Sequence, residues 1–379
     1  MIPIAMPVLE KEEAEAAHAA VLSGWVSQGP QVAAFEREFA ELVGAAHACA
    51  VSNCTAALHL ALLTVGVAPG DEVITASHSF IATANAIRYC DAIPIFVDID
   101  PKTYNIDPQQ VAEAVTGRTR AILAIHQMGM PCDLPALTGV ANRHDIPLIE
   151  DAACAAGSEI RINGQWERIG QPHGQIACFS FHPRKVITTG EGGMLTTTNP
   201  DFDRAFRLCR QHGMSVPDTV RHGSQQVIFE DYLMVGFNYR MTDFQAAIGR
   251  KQLGRLPDLV ARRRFLVNCY AQLLADIEGV GLPVEPDWAR SNWQSYCIRL
   301  PDRVDQKAVM QGLLDQGIAT RRGIMCSHRE APYVGEKQRH DLRQSELAQS
   351  HSILLPIYTQ MTEDDVVGVA NALTRELNG

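Results

Sequence analysis

Lys185 is the residue whose sequence surroundings point most directly to chemistry. It follows a short apolar segment, 175–179, and precedes a glycine-rich turn and a second apolar segment, 194–198; both segments predict strands. A Lys in a partly apolar wall built from loops is expected to have a lowered amine pKa, which makes the amine a nucleophile towards an aldehyde. The alternative is a surface Lys on a loop, the usual setting of this residue. The chemical interpretation therefore requires a cofactor site around Lys185.

Several other positions could bind a phosphate. Thr55 and Ala56 stand between a predicted strand and the first turn of a predicted helix, where backbone N–H groups and the helix dipole favour an anion. A plain helix-capping Thr is the alternative. Ser180 lies close before Lys185 in the sequence and could donate to the same phosphate. Asn238 precedes another predicted helix and offers an amide donor, with a turn Asn at positive φ as the alternative.

Two residues suit the ring of a ligand. Asp151 ends a predicted buried strand and is followed by small residues, so its carboxylate could pair with a protonated ring nitrogen, unless it is a helix-capping Asp. Phe80 follows a polar run, 77–79, and could stack on a planar ring, although aromatic residues are more often part of a core. A phosphate, a ring nitrogen, a ring face and an aldehyde for Lys185 together describe pyridoxal 5′-phosphate.

The elements that would position these residues alternate regularly. Short continuous apolar strands that alternate with helices are typical of a mostly parallel α/β sheet covered on both faces, and such sheets bind ligands beyond the carboxyl ends of their strands. The candidate residues follow predicted strands in this way. The strands are predicted at 48–51, 71–75, 93–97, 121–125 and 147–149, and the helices at 10–22, 31–43, 55–65, 80–89, 108–115 and 134–144.

The second part of the chain has a different texture. A polar region, 212–233, contains Pro217 and Gly223 and is interpreted as an irregular loop that serves as a lid. A long helix is predicted from Thr242 to Leu274, with a kink at Pro257. An alternating strand at 293–300, a helix at 306–316, a strand from residue 318 and a helix at 363–377 then predict a smaller α+β unit. The predicted domains are 1–250 and 251–379.

Composition excludes several classes of protein. The chain has 379 residues, of which 46% are hydrophobic and 20% charged, an ordinary balance for a globular protein with a core. The formal net charge of −10 lacks the basic footprint of nucleic-acid binding. Ten Cys without a C-x-x-C pair favour reduced thiols in a cytoplasmic protein and argue against a disulfide framework or a metal site. No signal peptide or membrane-spanning run is recognisable.

The chain resembles the DegT/DnrJ/EryC1/StrS family of sugar aminotransferases, which depend on pyridoxal phosphate and have fold type I. The resemblance covers nearly the whole chain. Its most specific parts are the Lys185 segment and the run Phe237-Asn238-Tyr239-Arg240-Met241-Thr242, and it includes segments 25–30, 52–62, 80–86 and 149–153.

The resemblance implies a role for each candidate. Lys185 would form the Schiff base with the cofactor and shuttle a proton, and Asp151 would pair with the pyridine nitrogen. Asn238 would reach the phosphate of the neighbouring subunit, which implies a homodimer with shared active sites. Phe80 would stack on the ring, and the phosphate would be bound by Thr55, the backbone of Ala56 and Ser180.

Three residues depart from the family pattern. Cys154 stands where family members often carry Gln, His or Glu near the ring hydroxyl of the cofactor, so its place in the cofactor site is open. Arg184 replaces a small residue before the Lys and has no assigned role. Cys54 replaces Gly, which the site should tolerate because the backbone amide makes the contact.

The function implied is a ping-pong aminotransferase. An amino donor, expected to be glutamate, would convert the cofactor to its pyridoxamine form, which then aminates a keto group of a nucleotide-linked deoxysugar. Related dehydratases carry His at the Schiff-base position, so Lys185 favours transamination. The alternatives are an aminotransferase for an aminocyclitol or other non-nucleotide ketone, and a non-catalytic regulator that binds the cofactor.

Small-molecule substrates are the expected partners. On the acceptor side, His328 resembles a substrate-side His of the family, with a structural His as the alternative. Arg240, Arg321 and Arg322 could counter a diphosphate, or could be solvated charges.

Overall fold

Short apolar segments separated by turns fold into strands along the chain. The computed structural model describes residues 1–216, 220–221, 224–335 and 338–378. Within these residues the strands are, in chain order, β1 (His47–Val51), β2 (Glu72–Ala76), β3 (Ile93–Val97), β4 (Thr119–Ile125), β5 (Leu148–Asp151), β6 (Glu159–Ile162), β7 (Gln165–Arg168), β8 (Ile176–Ser180), β9 (Gly193–Thr197), β10 (Ala289–Arg290), β11 (Tyr296–Arg299), β12 (Arg321–Arg322) and β13 (Ser352–Leu355).

Seven of these strands form a central sheet in the order β1-β9-β8-β5-β4-β2-β3. Strands β8, β5, β4, β2 and β3 run parallel, and β9 runs antiparallel to both of its neighbours, β8 and β1. Alternate residues of one strand enter different apolar clusters: Ile122 and Ala124 pack in one, and Ala121 and Leu123 in the other. The sheet is therefore covered on both faces, which confirms the predicted, mostly parallel α/β architecture.

Helices cover the sheet and build the second unit. Polar side chains fix several of their starts, because the side chains of Asn53, Asp133 and Asp305 each accept a hydrogen bond from a backbone amide in the first turn. None of the helices in the described part of the chain is long and apolar enough to cross a membrane. The helices are α1 (Lys11–Leu22), α2 (Pro30–Val43), α3 (Cys54–Thr64), α4 (Ala82–Tyr89), α5 (Pro108–Ala114), α6 (Leu134–His144), α7 (Pro200–Cys209), α8 (Asp243–Leu274), α9 (Gln306–Asp315), α10 (Arg343–His351) and α11 (Glu363–Asn378).

The long helix α8 joins the two parts of the molecule. It continues through Pro257. Its earlier residues, such as Leu256 and Val260, pack in the core beside the central sheet, and its later residues, such as Leu266 and Tyr270, pack in a second core. The predicted domain limit at 250/251 falls within this continuous helix, and the division of the chain into two domains stays a prediction.

The second core lies against a three-stranded sheet of order β11-β13-β12. The strand predicted at 293–300 is shorter and begins at Tyr296, because Trp293 has a φ of 51° and turns the chain. The strand predicted from residue 318 is limited to β12, and Ile318 instead forms an isolated bridge with Ile2 near the N-terminus.

The predicted lid is partly described. Pro217 and Gly223 lie outside the described residues. The two sides of the loop pair with each other, because the amide of Ser215 donates to the carbonyl of Asp231 and the amide of Leu233 donates to the carbonyl of Gly213. A role as a lid stays a prediction.

Candidate active site

The candidate site lies where two neighbouring parallel strands end. Asp151 is the last residue of β5 and pairs in register with Cys178 of β8, so Ser180 at the end of β8 lies at the same edge of the sheet. Lys185 follows β8 in a tight turn in which its amide donates to the carbonyl of His182 at 2.8 Å. The fold thus brings Asp151, Ser180 and Lys185 to the carboxyl edge, where ligands of such sheets bind.

Among the described residues, Nζ of Lys185 donates a hydrogen bond to Sγ of Cys154 at 3.0 Å. The sequence predicted a lowered pKa for the Lys185 amine, and this prediction is wrong. Burial does lower the pKa of this amine, but the contact with Cys154 and the nearby Cys54 and Asp151 raise it more, so the pKa lies above its ordinary value. Cys154 is half-buried and beside the reactive amine, in the position where the sequence left its role open.

The Asp151 carboxylate is buried and held by two donors. Oδ2 accepts from the hydroxyl of Thr83 at 2.8 Å, and Oδ1 accepts from the amide of Ala153 at 3.1 Å. Burial raises the pKa of Asp151, although both donors and the nearby Lys185 lower it. A cationic partner would complete the charge balance of this buried carboxylate.

The start of α3 forms a tight junction with β9. Asn53 is the N-cap, and its side-chain oxygen accepts from the amide of Ala56 at 2.9 Å, so this amide already has a partner. A Cβ on Gly193 of β9 would lie 2.5 Å from the Asn53 carbonyl group, and only a Gly allows this approach. Thr55 is half-buried at the second position of α3, where helices have amides without internal partners.

Other predicted cofactor residues are partly or largely exposed. The Phe80 ring is 63% exposed, just before α4. The Ser180 hydroxyl is half-buried and accepts from the amide of His182 at 3.4 Å. Asn238 is exposed and forms an isolated bridge with Gln211. Their contacts with a cofactor stay predictions.

His328 uses both ring nitrogens within the protein. Nδ1 lies 2.6 Å from Oγ of Ser77, and Nε2 lies 3.1 Å from Oε1 of Glu346. Ser77 follows β2 of the central sheet and Glu346 lies on α10, so His328 links the two parts of the molecule. This arrangement supports the structural alternative, and the predicted contact with a substrate stays a prediction.

The Arg side chains near the site differ in their partners. Arg322 forms an ion pair with Glu330 at 3.2 Å. The guanidinium groups of Arg184, Arg321 and Arg240 form no ion pair within the described residues. Burial lowers the pKa of Arg184, and the charge of Arg321 lowers it further, so these two cations lie close enough to repel each other. Arg184 directly precedes Lys185 in the chain, so its guanidinium adds a positive charge without an ion-pair partner to this segment, within the described residues.

Two residues between β10 and β11, which the sequence analysis missed, bind the backbone at this edge of the central sheet. Nδ2 of Asn292 donates to the carbonyls of Cys154 and Ala156, at 2.8 Å each. The side chain of Gln294 donates to the carbonyl of Arg184, directly before Lys185. Asn292 and Gln294 therefore fix both backbone segments that carry the Cys154–Lys185 contact. Thr83 was missed as well, although it lies within the segment 80–86.

The side chains present fit pyridoxal 5′-phosphate. An amine suits its aldehyde, a buried carboxylate suits its protonated ring nitrogen, and hydroxyls beside a helix N-terminus suit its phosphate. A side chain on Gly193 would collide with the backbone at the start of α3, so this Gly allows the helix end to lie directly against β9. Within the described ranges, no three His, Cys, Asp or Glu side chains are grouped so that they could hold a metal ion.

Comparison with known proteins gives matches over almost the whole chain. A model of the DegT/DnrJ/EryC1/StrS aminotransferase family matches residues 7–374. The spore coat polysaccharide biosynthesis protein SpsC of Bacillus subtilis (strain 168) is 36% identical over 385 residues, which cover 100% of this chain and 97% of SpsC.

Solved structures agree with these matches. The aminotransferase TlmJ from Streptoalloteichus hindustanus is 32% identical, with a TM-score of 0.91 and coverage of 100% of this chain and 99% of TlmJ. DesI, solved in the presence of its TDP-sugar product, is 31% identical, with a TM-score of 0.88 and coverage of 99% of this chain and 92% of DesI.

Proposed function

The chain belongs to the DegT/DnrJ/EryC1/StrS aminotransferase family and is an enzyme of that family, and from this premise we propose its specific reaction. The enzyme binds pyridoxal 5′-phosphate and moves an amino group from glutamate to a keto group of a nucleotide-linked deoxysugar. The reaction would be ping-pong: Lys185 and Asp151 would hold the cofactor, which when bound would supply the group that takes the amine from the donor before the acceptor binds.

The observation that carries this proposal is the pairing of Lys185 with Asp151 at one edge of the sheet. Asp151 ends β5 and Lys185 follows the neighbouring strand β8, and both side chains have partners that fix them. A regulator that only binds the cofactor would not need a nucleophilic amine and a ring-nitrogen partner together. The intact pair therefore supports catalysis.

The chain's own groups supply binding, orientation and proton transfer. When bound, pyridoxal phosphate supplies an aldehyde and a ring that withdraws electrons. Lys185 would hold the cofactor covalently, and when its Nζ is free it would take the α-proton of the amino donor and, across the two half-reactions, deliver a proton to the carbon of the acceptor that is aminated. Cys154 Sγ, at 3.0 Å, would accept a hydrogen bond from that amine while it is free. Asp151, kept ionised, would hold the ring nitrogen in its protonated form.

The acceptor is proposed to carry an anionic group. Arg184 directly precedes Lys185 in the chain, the charge of Arg321 lowers the pKa of Arg184, and neither guanidinium has a carboxylate partner within the described part of the chain. Paired guanidinium groups bind phosphate oxygens well. The relative DesI was solved in the presence of its TDP-sugar product. In this chain, the negative charge of a nucleotide diphosphate would pair with the positive charge of the two guanidinium groups.

A homodimer with shared active sites is part of the proposal. The described residues between 224 and 235 expose several large apolar side chains: Val227 is 85% exposed, Phe229 89% and Val235 87%. Surfaces of this kind usually mark a protein interface. Asn238 follows this segment and is itself exposed, so it could reach a neighbouring subunit. Sedimentation analysis should give a dimer for the wild type and a monomer for Phe229→Asp; a monomeric wild type would contradict this part.

Reduced thiols support a cytoplasmic location. The ten Cys are all free, and eight of them are buried. An oxidising compartment would favour pairing of thiols. The location stays a proposal.

An acceptor screen tests the reaction. Purified enzyme with pyridoxal phosphate and glutamate should convert nucleotide-linked 3-keto or 4-keto deoxysugars to amino sugars, with 2-oxoglutarate released in equal amount. Lys185→Ala is the inactive control. Turnover of a free cyclitol ketone without turnover of any nucleotide-linked sugar would overturn the nucleotide-sugar part.

A further inference from the structure

A buried chain of hydroxyl groups ends on the Asp151 carboxylate. The Oγ1 atom of Thr83, on α4, lies 2.8 Å from Oδ2 of Asp151 and 2.9 Å from Oγ of Ser79. Thr83 and Ser79 are each 2% exposed and Asp151 is 5% exposed, so solvent does not compete for these bonds. The chain is an internal part of the site.

The direction of these hydrogen bonds follows from the donor inventory. An ionised carboxylate only accepts, so the single hydroxyl proton of Thr83 points to Asp151. The Ser79 hydroxyl must then donate to the Thr83 oxygen. Its other acceptor, the carbonyl of Phe80, is more distant at 3.4 Å. In the order Ser79 to Thr83 to Asp151, each hydroxyl donates towards the carboxylate, and Oδ2 of Asp151 receives a hydrogen bond.

The far end of the chain is anchored as well. The amide of Ser79 donates to the carbonyl of Met325 at 3.1 Å, in the second unit. Thr83 is held by the first turn of α4. If either hydroxyl turned away, the Thr83 oxygen or the Asp151 carboxylate would lose a hydrogen-bond partner in a buried setting.

We propose that Thr83 is a positioning residue for transamination, which orients the Asp151 carboxylate and keeps it ionised for the ring nitrogen of the cofactor, with Ser79 holding the Thr83 hydroxyl in place. The proposal rests on the proposed function. Oδ1 is held by the amide of Ala153, so the Thr83 hydroxyl is the partner of Oδ2 within the described residues.

Electrostatics agree with this assignment. Burial raises the pKa of Asp151, and the Thr83 hydrogen bond is the largest of the effects that lower it, ahead of the Ala153 amide and Lys185. In the described part of the chain, His126, Cys54 and Cys178 also interact electrostatically with Asp151. Without the Thr83 donor, the protonated form of Asp151 becomes more populated. A protonated carboxyl is a poorer partner for a pyridinium than a carboxylate is.

Thr83→Val tests the proposal, because Val has nearly the shape of Thr and no hydroxyl. The dissociation constant of pyridoxal phosphate, measured by absorbance titration of the stripped protein, should rise about tenfold or more, as expected for a hydrogen bond to a charged group. kcat should fall by a similar factor, with KM for glutamate little changed. Thr83→Ser keeps the hydroxyl and should restore both values close to the wild type.

Thr75→Val is the matched control. Thr75 is equally buried, and its hydroxyl donates to the carbonyl of Leu123 at 2.9 Å, within the sheet and away from Asp151. It should lower the melting temperature as Thr83→Val does, while cofactor affinity stays at the wild-type value. Equal cofactor affinity and kcat in Thr83→Val and wild type would overturn the positioning role. Failure of the wild type itself to bind pyridoxal phosphate would instead overturn the proposed function.

Discussion

Replacing Asn292 by Ala should destabilise the protein and loosen the candidate site. The Asn292 side chain is fully buried and makes three hydrogen bonds: Nδ2 donates to the carbonyls of Cys154 and Ala156, and Oδ1 accepts from the amide of Gln294, each at 2.8 Å. Each bond contributes about 1 kcal/mol net, and buried groups left without a partner cost more. The loss is therefore on the order of 3–5 kcal/mol, a large part of the usual stability of a domain.

The assay is urea unfolding followed by circular dichroism and by intrinsic fluorescence. The free energy of unfolding should fall by roughly the amount above with little change in the m-value, since the surface exposed on unfolding is the same. Pyridoxal phosphate should also bind more weakly, because the segments that carry Cys154 and Lys185 lose their shared anchor. Asn142→Ala is the control, as Asn142 is exposed on α6.

Equal unfolding midpoints for Asn292→Ala and Asn142→Ala would refute the argument. It would mean that the backbone carbonyls of Cys154 and Ala156 find other partners, and that the second unit does not hold the Lys185 edge through this residue. A destabilised protein with unchanged cofactor affinity would refute only the functional half.

Two further predictions concern the frame around the site. Burial lowers the pKa of His78 from 6.5 to about 3. Between these two pH values the unfolded chain binds a proton that the folded chain does not. The free energy of unfolding should therefore fall as pH falls through this window, by up to about 1.4 kcal/mol per pH unit. His78→Gln should remove this part of the slope in urea midpoints measured across the window, and an unchanged slope would contradict it. Gly193→Ala should abolish cofactor binding, because the new Cβ would lie 2.5 Å from the Asn53 backbone. Gly117→Ala should leave binding unchanged, because a Cβ there meets open space, and titration with pyridoxal phosphate checks both variants.

Local patterns were sufficient for the central sheet. The strands and helices predicted in the first 150 residues are all present, because apolar runs and caps such as Asp133 act within a few residues. The hairpin of β6 and β7 was not predicted, although Asn163-Gly164 between them is a strong local turn signal, and both residues have positive φ. Helix α10 offers no such signal, because its first amides donate to Asp98, which comes from a distant part of the chain.

The site was predicted only where a residue's role depends on its own neighbours. Asp151 ends one parallel strand and Lys185 follows its neighbour, so the topology alone brings them to the same edge of the sheet. Asn292 and Gln294 could not be found this way, since they lie more than 100 residues from Lys185 and flank Trp293, whose positive φ has no sequence signal. The predicted direction of the Lys185 pKa shift was wrong for the same reason. The shift depends on Cys154, whose Sγ only the fold brings to 3.0 Å from Nζ of Lys185.

The central claim is that Lys185 is the residue that bonds to pyridoxal phosphate. Borohydride reduction of the purified protein with pyridoxal phosphate, followed by peptide mass spectrometry, tests it directly, since reduction makes the bond between Nζ and the cofactor permanent. The account predicts the added mass on the peptide that contains Lys185, its loss in Lys185→Ala, and its retention in Lys251→Ala, where an exposed Lys is removed. Added mass on a different Lys, or unchanged labelling of Lys185→Ala, would contradict the account.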